Sequence, residues 1–425
     1  LADGRLIAVV LRPPGQLLSK ASLGLAIRHL RIGEMHLLFA TSIVPDGGLG
    51  SGYEIANAAI IAALRRAGVR VTILGFTWPG RTALDAENTI VLGAVDVRND
   101  HASITQKLKW LAKAVLTGLT FSSVKLRLVG PEQVRRAIAA AGPFDGYLLN
   151  SVQFTGAFDG LFDDRPSIFV AHNVEHVSAA ENAIAVRGAF ERLLFRREAR
   201  LLKRLEARLC RGARFVFTLA EEDRSALGVA SDAKSVALPL ITRPDAPPPP
   251  AARRTDCDAA LIGTWTWQPN RIGLDWFLGE VVPHLRRDFR ISIAGSVPAG
   301  VTSFHPGVTF VGRVPDAQDF VRSAAVVPLI SRAGTGVQLK TIEAFELGLP
   351  TVATSSSLRG IGHAPANCVV ADDPAAFAAA LERAASGEVA DADGSAFYRR
   401  QRAELDARVR RGLEALGYQR HEALA

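Results

Sequence analysis

Cysteine is scarce. Cys210, Cys257 and Cys368 are the only three in 425 residues, they lie far apart, and none belongs to a C-x-x-C pair. That excludes a disulfide framework and makes a reducing compartment, the cytoplasm, the expectation. Long apolar runs are missing too. Stretches such as Ala324–Ile330 have strand length, far below the roughly 18 residues needed to cross a bilayer. Methionine occurs once, at Met35, directly ahead of HLLFATSIV. The segment 1–34 before it has weak periodicity and a Pro-Pro break, and it lacks the ordered basic, apolar and small-residue regions of a secretory signal. Met35 is therefore the expected native start, with 1–34 as upstream sequence read in frame. A helix around Leu17–Leu30 is the alternative.

What is present is an ordinary globular composition, 48% apolar and 22% charged, with 37 Gly and 22 Pro. This excludes disorder throughout and a collagen-like or coiled-coil chain. At roughly 150 residues per domain the length predicts two domains or three. The net charge of +8 favours anionic partners, but no recognition motif accompanies it, so nucleic acid is not expected.

From Met35 onward, strand-like runs alternate with helix-like ones. MHLLFATSI precedes a helical pattern over Tyr53–Ala67, and RVTILGF at 70–76 follows. GYLLN after Phe144, SIFVAH at 167–172 and RFVFTLA at 214–220 read as further buried strands. Strands alternating with helices of this length indicate βαβ units and parallel sheets. LPLITRPDAPPPPAARRTD then reads as a stiff linker, because its prolines cannot donate to a sheet. The pattern restarts with AALIGT, a helix over Ile272–Leu285, FRISIAGS, VTFVG, AAVVPLI, a helix over Val337–Leu347, and PTVAT. The expected organisation is an N-terminal domain over 35–238, a linker over 239–254, a C-terminal domain over 255–390 and a helix or tail over 391–425. Two facing Rossmann-like, doubly wound α/β domains bind ligand at the carboxyl ends of their strands.

Four places there carry chemistry. PDGGLGSG, with Gly48, Gly50 and Ser51, joins the first strand to its helix, where an anion or acceptor can approach the backbone. Its glycine spacing is wrong for a dinucleotide fingerprint, and no acidic residue follows the second strand. AHNVEH places His172 where a strand hands over to a loop, suited to a substrate contact or to proton transfer. H-x-x-E-H also resembles an inverted zinc-protease pattern, but that needs both histidines on one helix. In GTWTWQPNRIG, Gly263 and Thr264 offer amides to a phosphate, while Trp265 and Trp267 either stack a base or cap the core. SRAGTGVQLKTIEAFELG is the most specific. Gly334, Thr335, Gly336 and Val337 form a loose loop entering a helix, and Lys340 and Glu343 share one helical face. A lysine with free amides suits a diphosphate, and a carboxylate one turn on suits ribose hydroxyls.

On these residues the chain resembles the retaining, nucleotide-sugar-dependent glycosyltransferases of family 4, which have the GT-B fold. GTWTWQPN and GVTFVGRVPDAQDFVRSAAVVPLISRAGTGVQLKTIEAFELGLPTVAT carry most of the likeness. The glycine loop, AHNVEH and EARLLKRLEARLC leading into RFVFTLAEEDRSAL carry the rest, over roughly 36–385 in all. The resemblance implies that the C-terminal domain binds a nucleotide sugar and the N-terminal domain a sugar or lipid-linked acceptor. It departs in two ways. Of the family's paired glutamates, Glu343 matches the second and Thr335 stands at the first. The basic pair that often holds the diphosphate falls on Thr264 and Asn270, with Arg271 adjacent, leaving Lys340 and amides to take over.

Stabilising a leaving diphosphate acts on charge that grows in the transition state. The pairs Asp256–Asp258 and Asp391–Asp393 lie in polar stretches and read as solvated, so neither metal nor cofactor is expected. A nucleotide-sugar epimerase and a noncatalytic binding protein are the rival readings. Finally, SITQKLKWLAKAVLTGL carries an apolar stripe of Ile104, Leu108, Leu111 and Val115, expected to pack on the core or to dip into lipid. Lys109 and Lys113 lie opposite it, and Trp110 is expected exposed at headgroup depth. With nine Lys or Arg against three Glu in 191–214, an acidic surface on the inner face of the cytoplasmic membrane is the expected partner.

Overall fold

HLLFATSI is apolar along its whole length, and it forms a strand, β1 (His36–Ile43), buried on both faces, as the inner strands of a parallel sheet are. The computed structural model describes residues 35–48, 51–97, 102–186, 188–248 and 253–418. The segment 1–34, Gly50 and residues 249–252 of the proline-rich stretch lie outside the described residues. After β1 come β2 (Arg70–Thr77), β3 (Thr89–Ala94), β4 (Gly146–Asn150), β5 (Ser167–Ala171), β6 (Phe215–Thr218) and β7 (Ser235–Ala237). They make one seven-stranded sheet in the order β3-β2-β1-β4-β5-β6-β7. A second sheet holds β8 (Cys257–Thr264), β9 (Ile291–Ser296), β10 (Val308–Gly312), β11 (Ala324–Leu329), β12 (Thr351–Ala353) and β13 (Cys368–Val370), in the order β10-β9-β8-β11-β12-β13. Every pairing is parallel. The chain is thus two Rossmann-like, doubly wound sheets, each reversing its winding between its first and fourth strands.

The last helix, Gly394–Ala415, returns to the first sheet. Leu405, Val409 and Leu413 are fully buried there, and Arg66 grips Asp406 with two nitrogens at 3.1 and 2.6 Å. Gly412 is required by this approach, because a Cβ would stand 2.2 Å from the ring of Phe217. The same apolar cluster continues into the second half through Leu329, Ile342 and Phe345. The start of the expected linker is part of this packing: Leu238, Leu240 and Ile241 are buried, and Thr242 donates to the buried Glu346 carboxylate through its amide (2.9 Å) and its hydroxyl.

Two expectations change. The helix expected from Ile272 begins at Gln268, because Pro269 fits a first helical turn, where its missing N–H costs nothing. Trp110 is not exposed as expected. On the helix Ile104–Thr117 it turns inward with Ala114, meets Phe121 edge-on at 6.0 Å and carries Lys125 over its ring. Of the apolar stripe, Ile104, Leu108 and Val115 face outward, while Leu111 is half-buried. Among the described residues, no helix is long and apolar enough to cross a membrane.

Candidate functional site

The reversal point of the second sheet, between β8 and β11, opens a cleft with about 630 Å³ of empty space, mouth included. Leu261, Asn270, Ser331, Gln338, Lys340 and Glu343 are among its lining residues. Ligands settle at such points because loops on either side diverge and leave a crevice. The helix Leu339–Glu346 enters here, and its cap residue Gln338 gives no side chain to the first amides. Thr341 N bonds the Gln338 carbonyl at 3.0 Å, which leaves the Leu339 and Lys340 N–H groups to a ligand.

Lys340 reaches across the cleft, its Nζ 5.1 Å above the Trp265 ring and 3.4 Å from Asn270 Oδ1. No carboxylate of the described residues pairs with it, and burial pushes its pKa down to about 8. Gly263 lies directly beneath, where an added Cβ would sit 3.0 Å from Nζ. Glu343, one turn on, accepts from Gln318 Nε2 at 2.9 Å, and burial raises its pKa. Gln318 in turn accepts from Arg243 at 2.6 Å. Asn270 donates to the Thr264 carbonyl at 3.0 Å, so Thr264, Asn270 and Lys340 come together. Arg271 does not join them: its Nε turns to Asp275 on its own helix at 2.6 Å. The tryptophans divide. Trp265 caps the core, donating to the Ala294 carbonyl at 2.8 Å, while Trp267 is exposed.

The first sheet's reversal point, between β1 and β4, holds a buried polar knot. Asn150, the last residue of β4, donates to Thr41 Oγ1 (3.1 Å), Tyr53 OH (3.0 Å) and Asn57 Oδ1 (2.8 Å). Its own Oδ1 accepts from His172 Nε2 at 2.8 Å. That bond assigns the proton to Nε2 and leaves Nδ1 as an acceptor. Burial pushes the His172 pKa down to about 4, so the imidazole is neutral near pH 7. The two histidines of H-x-x-E-H part company, since His176 Nδ1 bonds the buried Glu206 at 2.5 Å. Ser151, directly after Asn150, holds φ 74° and ψ 162°, and among the described residues it alone has positive φ without being glycine. Such strain persists only where the surroundings enforce it.

The two knots meet. Gly334 and Gly336 carry φ of 102° and 75°, and Gly336 packs so tightly that a Cβ would lie 2.2 Å from the Asn173 side-chain amide and 2.6 Å from the His172 carbonyl. The Asn173 amide spans the His172 and Thr335 carbonyls at 3.0 and 3.1 Å. Thr335 Oγ1 lies 3.1 Å from Ser178 Oγ, and Val337 packs close behind Gly360. Of the first glycine loop, Gly48 binds back to Asp46. Ser51 caps the helix Gly52–Arg66 in exchange with Glu54, while Gly52 faces Leu339 of the second half. Sequence reasoning missed Asn150, Tyr53, Ser151 and Gln318. An Asn ending the apolar run GYLLN is the one signal that marked the knot.

Residues 258–386 match the model of a family described as group 1 glycosyl transferases. No curated protein matches the chain. Among solved structures, TarM superposes with a TM-score of 0.60 at 12% identity, over 91% of this chain and 99% of its own. Sucrose-phosphate synthase of Thermosynechococcus elongatus gives 0.54 at 15%, over 90% and 97%. Anabaena HepE, solved with UDP and glucose, gives 0.53 at 14%, over 90% and 100%. At these identities the likeness establishes the fold, which is GT-B.

Proposed function

We propose that this protein moves a sugar from a nucleotide-sugar donor to an acceptor hydroxyl, with retention at the anomeric carbon. The observation that carries the reading is Lys340: a half-buried cation without a carboxylate partner, beside uncapped helix amides, in the cleft of the domain that matches the glycosyl transferase model. A buried cation without a counter-charge is costly unless its site receives an anion. HepE, with the same fold, was solved with UDP-glucose.

In this reading the diphosphate lies on Lys340 and the free amides at the start of its helix, and Glu343 takes the ribose hydroxyls. The bond from the anomeric carbon to the phosphate oxygen breaks, and its electron pair leaves with the diphosphate. The acceptor oxygen bonds the same carbon from the same face and passes its proton to the departing phosphate oxygen. Lys340 and the amides strengthen as that negative charge grows, so their effect is on the barrier. His172, neutral and with Nδ1 as acceptor, binds a sugar hydroxyl rather than supplying a proton. The aspartates of the two D-x-D pairs have structural work: Asp258 accepts from Arg290 N, Asp391 pairs with Arg253, and Asp393 caps the last helix.

The test is incubation with a panel of nucleotide sugars, with products identified by NMR. Transfer to an added sugar, or slow hydrolysis with net retention, supports the reading. Epimer formation, or binding without turnover across a full acceptor panel, would overturn it.

A further inference from the structure

The helix Ile104–Thr117 is mounted with its apolar side outward. Gln106, Trp110 and Ala114 follow at four-residue spacing and form its inward edge, with Ala114 its only buried residue. Ile104 (77% exposed), Leu108, Val115 and Leu116 (85%) stand in solvent. A surface helix ordinarily shows the reverse arrangement, with its apolar stripe on the core. Among the described residues this face is therefore unpartnered.

It does not stand alone. Arg197 of the long helix Ala189–Gly212 reaches the helix's far end, donating to the Ala114 carbonyl at 2.6 Å and to the Leu119 carbonyl at 3.3 Å. Leu193 and Phe190 lie one and two turns before Arg197 on the same helical face. Both are exposed, Phe190 at 65%, as is Ile184 (83%) at the end of the preceding helix Glu175–Ala185. The apolar residues thus come from three helices of the N-terminal half.

The charges around them are predominantly positive, with Glu181 and Glu191 the exposed acidic residues on the two helices that carry Ile184, Phe190 and Leu193. Lys107, Lys109, Lys113, Arg196 and Arg200 are exposed, and the helix Ile104–Thr117 contains no acidic residue. The glutamates of the long helix are largely withdrawn: Glu198 accepts from the Phe121 amide at 2.8 Å, and Glu206 is buried against Glu175 and His176. Only Glu191 remains exposed.

We infer that this surface docks on an anionic phospholipid bilayer. Apolar side chains of this size enter the acyl boundary while flanking lysines and arginines stay at the phosphates, and neither part suffices alone. A protein partner would have to match a convex apolar ridge with an acidic rim, whereas a bilayer of acidic lipid supplies both at once. The inference does not rest on the sugar-transfer reading, because none of these residues lines the cleft.

The experiment is flotation of the full chain with vesicles of phosphatidylglycerol and phosphatidylcholine, against phosphatidylcholine alone, at low and high salt. The expected result is binding to the acidic vesicles, reduced at least tenfold by high salt, by Leu108→Ser with Leu116→Ser, and by Lys107→Glu with Lys109→Glu. Thermal unfolding should be unchanged in both double variants, which separates a lost surface from a lost fold. Equal flotation with both vesicle types, or none with either, would overturn the inference. So would a dimer in light scattering that Leu116→Ser converts to monomer, since a second copy would then cover the face.

Discussion

Asp223 and Arg359 meet at 2.6 Å between the two halves of the molecule, with the carboxylate fully buried and the guanidinium 27% exposed. Burial raises the Asp223 pKa, while Arg359 and the Gly336 amide oppose that rise. The pair thus ties the helix Glu221–Ala226 to the turn Ser355–Leu358, whose Ser357 lines the cleft. Removing only the arginine leaves a buried carboxylate unpaired, and its second oxygen already has no partner. Losses from breaking buried pairs run to about 3–5 kcal/mol. Arg359 keeps some water, so about 3 kcal/mol is expected for Arg359→Ala. The double variant with Asp223→Ala should recover most of that loss, read by guanidinium unfolding. A double variant as weak as the single would show that the pair is not the source.

Lys340 offers a pH signature as well as an affinity. With its pKa near 8, the free site is cationic below that value and loses its charge above it. Donor affinity should fall as pH rises through about 8, and Lys340→Arg should remove the fall, because a guanidinium stays charged. Lys340→Ala and Glu343→Ala should each weaken donor binding by roughly one to two decades, as expected for losing a charge-assisted contact worth about 1.5–3 kcal/mol. Gln318→Ala, which frees Glu343 without touching a ligand, should give a smaller loss. Calorimetric titration with a nucleoside diphosphate from pH 6.5 to 9 reads all four variants, and wild-type affinity unchanged across pH 8 would remove Lys340 from the phosphate site.

The inner strands were legible because burial on both faces demands unbroken apolar runs, and MHLLFATSI and RVTILGF supply them. β3, β7 and β13 were not read. β3 is a half-exposed edge strand, and the other two have three residues each, too short for a periodic signal. Lys340 with Glu343 was legible because helical spacing fixes their common face within one element. The Asn150 knot was not, since its members come from β1, β4, the helix Gly52–Arg66 and the loop after β5, and only the fold unites them. Trp110 was misplaced for a related reason: periodicity shows which residues share a face, but not which face the neighbours cover.

Glu346 and His172 should give stability opposite dependences on pH. Burial lifts the Glu346 pKa from 4.5 to about 7. Between these values the unfolded chain releases a proton that the folded protein keeps, so stability falls as pH rises. His172 is pushed down from 6.5 to about 4. Across that window the unfolded chain binds the extra proton, so stability rises with pH. The two windows overlap and largely cancel between about pH 4.5 and 6.5. Glu346→Gln should therefore expose a rising profile and His172→Gln a falling one. At about 1.4 kcal/mol per pKa unit each slope amounts to about 3 kcal/mol across its window. Urea unfolding at half-unit steps measures this; parallel profiles for wild type and both variants would contradict it.

Ser151 joins strain to position. Its φ of 74° with ψ of 162° falls in a region that glycine enters freely and other residues enter at a cost of about 1–3 kcal/mol. It follows Asn150 in the knot that holds His172, and its hydroxyl meets Gln153 Oε1, whose amide reaches Glu175 at 3.2 Å. Ser151→Gly should relieve the backbone while giving up about 0.5–1 kcal/mol to the looser unfolded chain, for a net gain of about 1 kcal/mol. Ser151→Ala keeps the Cβ and the strain and loses only the hydroxyl, so it should gain nothing. Comparing transfer rates in the two variants then separates backbone from side chain. If the hydroxyl contacts the sugar, both slow alike; if strain alone sets the geometry of His172, only Ser151→Gly slows. Equal stability of the two variants would show that the serine backbone is not strained.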